Sequence, residues 1–184
     1  MMFVSLGLGT LVALVTIALV SWASGPSSST STTAPVAAIV GKVIAPISLP
    51  SLAYGSQPAG QVTIPREGRA TVLVFFASWC GPCQEEIPRL SKYVTMLSPT
   101  LPVDIRFVDA NDSVAPAQAF LTAAHATSVV LSDSNGNVTS GIFGFQTLPE
   151  TVFLSSRGVV TRAIFGSVSN AQFASAVTEI LSQK

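Results

Sequence analysis

The sequence predicts an α/β domain with a central mixed β-sheet flanked by helices, preceded by one apolar membrane-length segment. Three observations carry this. Short β-branched and aromatic runs alternate with helix-spaced segments between residues 39 and 184, the order expected of strands and helices layered on one sheet. The first 22 residues, MMFVSLGLGTLVALVTIALVSW, contain no charged side chain. Both cysteines of the chain lie in one tetrapeptide, Cys80-Gly81-Pro82-Cys83, placed between a strand pattern and a helix pattern.

The N-terminal run comes first. About 20 helical residues at about 1.5 Å each cross a hydrocarbon core of about 30 Å, so residues 1–23 read as a transmembrane anchor. A cleaved signal segment is the other reading, because Ser21-Trp22-Ala23 offers a small-x-small site, although a basic start is missing. Either reading puts the rest of the chain outside the cytoplasm: attached to a bacterial cytoplasmic membrane by a single pass if the segment is retained, secreted if it is cleaved. Residues 24–38 form a Ser/Thr/Pro-rich linker with little to bury, and residues 39–184 have the size of one domain. Of 184 residues 48% are hydrophobic and 10% charged, and the formal net charge is zero with no basic run. That excludes the electrostatic footprint of a nucleic-acid binder.

Ile47 to Leu49 and Val62 to Ile64 flank a Gly/Pro-bearing loop, Tyr54 to Gly60, and predict a leading β-hairpin. Thr71 to Ala77, TVLVFFA, is a continuous apolar run and predicts a central strand buried on both faces. From Pro82 the spacing becomes helical, with Ile87, Leu90, Val94 and Leu97 on the apolar face and Glu85, Glu86, Arg89 and Lys92 off it. Pro88 interrupts the hydrogen bonding of this helix and predicts a kink. Val103 to Val108 reads as a second strand, Ala115 to Ala124 as a helix with Pro116 in its first turn, and Val129 to Leu131 as a short strand stopped by Asp133-Ser134-Asn135-Gly136. Thr151 to Leu154 and Val159 to Ile164 form a hairpin around Ser155-Ser156-Arg157-Gly158, and Asn170 to Leu181 closes the chain as an amphipathic helix.

The cysteine pair gains its chemistry from this placement. A cysteine at a helix start meets free N–H groups and the positive end of the helix dipole, which stabilise a thiolate. Cys80 is therefore the expected nucleophile, and Cys83, one turn on, the thiol that displaces the mixed disulfide. A purely structural disulfide is the bland alternative, but so small a loop constrains the unfolded chain little. A zinc site lacks ligands, since the chain has one histidine, His125, which reads as an ordinary residue at a helix end. Cu(I) binding by the two thiolates remains open.

Trp79-Cys80-Gly81-Pro82-Cys83 after an apolar strand resembles thioredoxin, with Pro88 matching the proline of the active-site helix. WCGPCQEEIP resembles more narrowly the WCxPCxxExP pattern of membrane-anchored TlpA/ResA-like thiol-disulfide oxidoreductases, where Glu86 fills the acidic position. The resemblance implies a thioredoxin-like fold with a helix-strand insert between Asp109 and Pro149, a redox-active Cys80–Cys83 disulfide, supporting roles for Trp79, Gly81 and Pro82, and a cis peptide before Pro149. An ordinary trans proline is the alternative there. The buried aspartate of thioredoxin falls on Val74, and the resemblance supplies Asp112 instead, with Asp109 second; either acid could equally cap the helix that follows.

The implied activity is exchange of disulfides with extracytoplasmic cysteine-containing clients, as a reductant, with electrons from a membrane carrier of the CcdA/DsbD type and a place in cytochrome c-type biogenesis. It needs no cofactor and no metal. A copper-delivery module of the same fold and a thiol oxidant are the alternatives. The first resembles a CxxxC spacing not found here, and a thiol peroxidase would need threonine where Ala77 stands.

Overall fold

The computed structural model describes residues 38–97, 101–144 and 147–183. The predicted anchor, residues 1–23, and all of the predicted linker but Ala38 lie outside the described residues. Among the described residues no helix is long and apolar enough to cross a membrane.

Strands β1 (Ile47–Ser51) and β2 (Gly60–Ile64) form the predicted antiparallel hairpin. β3 (Ala70–Phe76) follows, then helix α1 (Gly81–Leu97), β4 (Val103–Ala110), α2 (Val114–Ala123), β5 (Val130–Asp133), the short α3 (Asn137–Gly141), the hairpin β6 (Glu150–Leu154) and β7 (Val160–Phe165), and α4 (Asn170–Ser182). One seven-stranded sheet runs in the order β2-β1-β5-β4-β3-β6-β7. β3 is parallel to β4 and antiparallel to β6, so the sheet is mixed. All seven residues of β3 are buried, as a strand covered on both faces requires. Between Asp109 and Pro149, the stretch expected to hold an extra helix and strand, lie α2, β5 and α3.

Alternation along the strands sorts the core into two sides. Val72, Val74 and Phe76 of β3, with Phe107 and Phe153, meet α1, α2 and α4. Leu73, Phe75, Val108 and Leu154 meet the segment around Ile39 and Ile44, the β1–β2 hairpin and the Val138–Phe143 region. Aromatic rings tie the first side together, Phe153 and Phe173 standing 5.8 Å apart between centroids.

Two differences from the sequence reading have simple causes. β4 continues past Val108 because Asp109 and Ala110 pair with Ser132 and Asp133 of β5, a pairing that periodicity does not reveal. Glu86 is not on the solvent side of α1: it is 2% exposed and buried with Cys83, Ile87 and Leu90, which share its face at helical spacing. Pro88 lies inside α1, which runs unbroken from Gly81 to Leu97. His125, exposed and with φ 49°, directly follows the C-cap of α2, as expected for a helix end.

Phe153 is fully buried at the centre of the larger core side. Phe153→Ala should lower unfolding free energy by about 3–5 kcal/mol, checked by denaturant titration of the disulfide form.

Candidate active site

The apolar run that makes β3 ends at Phe76, and the chain leaves the sheet through Ala77-Ser78-Trp79 before α1 begins. Cys80 stands just ahead of the helix, its carbonyl accepting the Gln84 N–H at 3.1 Å, and Cys83 lies in the first turn. The two are joined by a disulfide with Cα atoms 5.2 Å apart. Cys80 is 4% exposed and Cys83 is 0% exposed, so the first is the one reachable from outside. The Cys83 N–H donates to Cys80 Sγ at 3.2 Å. That donor and the free end of the helix favour negative charge on Cys80 once the bond is reduced. Gly81 and Pro82 are exposed beside it, and a side chain at Gly81 would meet nothing within 4 Å.

Trp79 is the large exposed apolar group of this surface, 59% exposed, and its indole N–H donates to the Asn111 carbonyl at 3.2 Å. Below the cysteines the floor is apolar, with Val74 buried in the same core. The Leu148–Pro149 peptide is cis, as the resemblance implies, and the Pro149 carbonyl accepts the Gly166 N–H at 2.8 Å.

Glu86 reaches the loop between β7 and α4, where its Oε1 accepts the Val168 N–H at 2.5 Å. Burial raises its pKa, opposed by this hydrogen bond and by the Arg89 guanidinium 3.8 Å away. Arg89 donates to the Val168 carbonyl at 2.6 Å and to Asn170, so α1 and the loop after β7 are clamped together. Sequence reasoning did not single out Arg89 or Val168, because nothing local marks a clamp between segments about 80 residues apart.

Asp112 does not cap α2. The N-cap is Ser113, without a side-chain cap bond, and the Asp112 carboxylate instead accepts the Ser78 N–H at 2.6 Å and the Ser113 N–H at 2.7 Å. A loop joining β4 to α2 thus holds the loop joining β3 to α1. Asp109, at the end of β4 beside Phe76, is fully buried. Burial, then the charge of Asp112 and a proton shared with it, then the charge of Asp133 push its pKa up to about 8.

The Redoxin family profile matches residues 47–180. The chain belongs to the redoxin family. This redoxin is 26% identical over 113 residues to the sporulation thiol-disulfide oxidoreductase A of Bacillus subtilis, a match covering 60% of the chain and 68% of the relative. It is 25% identical over 103 residues to the thiol-disulfide oxidoreductase ResA of Halalkalibacterium halodurans, covering 56% and 57% of the two chains. The crystal structure of StoA from Bacillus subtilis superposes with a TM-score of 0.61 over 75% of this chain and 98% of that one, at 22% identity, which is a likeness of fold. With its CxxC pair, the redoxin is a thiol-disulfide oxidoreductase of thioredoxin-like fold, related to ResA as the motif implied.

Asp109 and Glu86 set the sign of one pH effect. Each has a higher pKa folded than unfolded, so the folded chain binds more protons, and stability is full below the unfolded carboxyl value near 4 and falls as pH rises, for Asp109 up to about 8. Thermal unfolding of the disulfide form should show this decline, and Asp109→Asn should flatten it.

Proposed function

We propose that this redoxin reduces disulfides of cysteine-containing proteins outside the cytoplasm while held to the membrane by residues 1–23. The observation that carries the exchange chemistry is the Cys83 N–H aimed at Cys80 Sγ at the start of α1. In the dithiol form the Cys80 thiolate attacks a client disulfide, forming a mixed disulfide and releasing one client thiolate, which takes up a proton. Cys83 then gives up its proton and attacks Cys80 Sγ, releasing the second client thiolate. Two electrons pass to the client and the Cys80–Cys83 disulfide is left, the form seen here.

Returning to the dithiol needs an external dithiol donor, and a membrane thiol carrier of the CcdA/DsbD type fits a chain tethered by an uncharged 22-residue run. The Gly81-Pro82 pair supports a reducing role, being the pair of thioredoxin, whose potential is about −270 mV. Pro149, cis and buried, and exposed Trp79 supply the surface on which an extended client segment would lie. Asp112 ties down Ser78, two residues before Cys80, and in this reading it is the acid that helps move the Cys83 proton, a role Val74 cannot fill.

Insulin reduction by dithiothreitol tests the exchange. The wild-type chain should accelerate it, and Cys80→Ser should reduce the acceleration to background; a serine variant that kept most activity would overturn the nucleophile. Cys83→Ser should accumulate a mixed disulfide with clients, visible as a thiol-sensitive adduct on gels. Asp112→Asn should slow exchange about tenfold or more, and an unchanged rate would remove the acid from the reaction. Fractionation finding the mature chain free in the medium, starting at Ser24, would replace the anchor with a cleaved segment.

A further inference from the structure

Three carboxyl groups lie near the ends of β4 and β5, Asp109 on the side of the sheet that carries the cysteines and Asp133 on the other, and their hydrogen bonds divide them into two kinds. Asp112 accepts N–H groups from Ser78 and Ser113. Asp133 accepts the Val138 N–H at 3.1 Å, the Thr139 N–H at 2.7 Å and the Thr139 hydroxyl at 2.5 Å. Asp109 differs: both of its oxygens are buried and neither accepts a hydrogen bond. A buried carboxylate with no donor on either oxygen is costly to ionise, and like charge from Asp112 and Asp133 adds to that cost, so the proton belongs on Asp109. Protonated, Asp109 becomes a donor that can be shared with Asp112.

We propose that Asp109 is a positioning residue whose proton braces Asp112, and through it the Ser78–Trp79 loop that presents Cys80, and whose ionisation releases that loop. Both ties on the loop land just beyond Asp109, the Trp79 indole on the Asn111 carbonyl and the Ser78 N–H on Asp112. Asp109 also sits on the side of the sheet that carries the cysteines: it pairs with Phe76 and alternates with Phe107, Ile105 and Val103, which line the core containing Cys80 and Cys83. The groups facing it in register are Phe76 on β3 and Ser132 on β5, neither of them charged, and Ala117 and Leu121 of α2 close the same side. Burial first, and then the charges of Asp112 and Asp133, push its pKa up to about 8. Losing the proton removes the donor from Asp112 and sets a like charge against it.

What the released loop does to exchange rests on the function proposed above; the switch itself belongs to the disulfide form and is read without any exchange assay. The probe is the full chain, disulfide intact, with aspartate side-chain carboxyls labelled with carbon-13 and followed by NMR against pH. One of the four aspartates should titrate near pH 8, and the Trp79 indole resonance, separated from that of Trp22 by a Trp22→Phe control, should move in the same step. Asp109→Asn should abolish both. Should that variant fail to fold, Asp112→Asn in its place should lower the high midpoint by about one unit or more, since a like charge has been removed. Four aspartates all titrating below about 5, a Trp79 step that persists without Asp109, or a midpoint indifferent to Asp112 would overturn the proposal. Exchange without the titration would sink only the switch, and the titration without exchange only the proposed function.

Discussion

Seven consecutive residues of β3 lie out of water, and because β4 and β6 hydrogen-bond to its two edges, the strand ends where the apolar run ends. Each large side chain in that run contributes roughly 1.5–3 kcal/mol by leaving water. The exit point at Ala77 is therefore fixed by the core. From it follow the start of α1, the position of Cys80 before the first turn and the aim of the Cys83 N–H at Cys80 Sγ. Reactivity is delegated to a helix end that the hydrophobic effect has anchored.

The surroundings of the cysteines are organised by polar groups of distant segments. On one side Asp112 and Asn111, beyond β4, hold Ser78 and Trp79. On the other, Glu86 and Arg89 of α1 clamp the Val168 backbone, in the loop that also bonds the cis-Pro149 carbonyl through Gly166. Apart from the exposed Trp79 bond, these bonds are buried or half-buried, where an unmade partner costs about 1–3 kcal/mol, so the loops are restrained more firmly than exposed turns would be. Val74 shares the apolar core with both cysteines, and the titratable groups come to the site from other positions.

Those edges respond to pH in the same sense but under different balances of charge. Glu86 is held partly in check by Arg89, whereas Asp109 has only like charges acting on it, and it sits where two parallel strands run out. Burial of carboxyl groups opposes folding as they ionise, and redoxin stability is thereby linked to pH through residues that also border the catalytic loop.

The amino-acid sequence by itself determined the order of strands and helices, the buried central strand, the paired cysteines at a helix start and the proline ahead of β6, because each depends on local periodicity or on contiguous residue types. WCGPCQEEIP even named the acid at Glu86, yet helical spacing alone assigned that residue to water; only the tertiary fold, by bringing Val168 across to it, buried it. The role of Asp112 was decided in the same way. Next to a helix start a cap and a tie to another loop look alike in sequence, and the difference lies in Ser78, 34 positions earlier. Asp109 was legible as a candidate acid, but its proton was not, because a pKa is set by burial and by charges such as Asp133 that meet only when β5 pairs with β4. Local interactions are written along the chain, while electrostatics and hydrogen bonding depend on distances that exist only once it has folded.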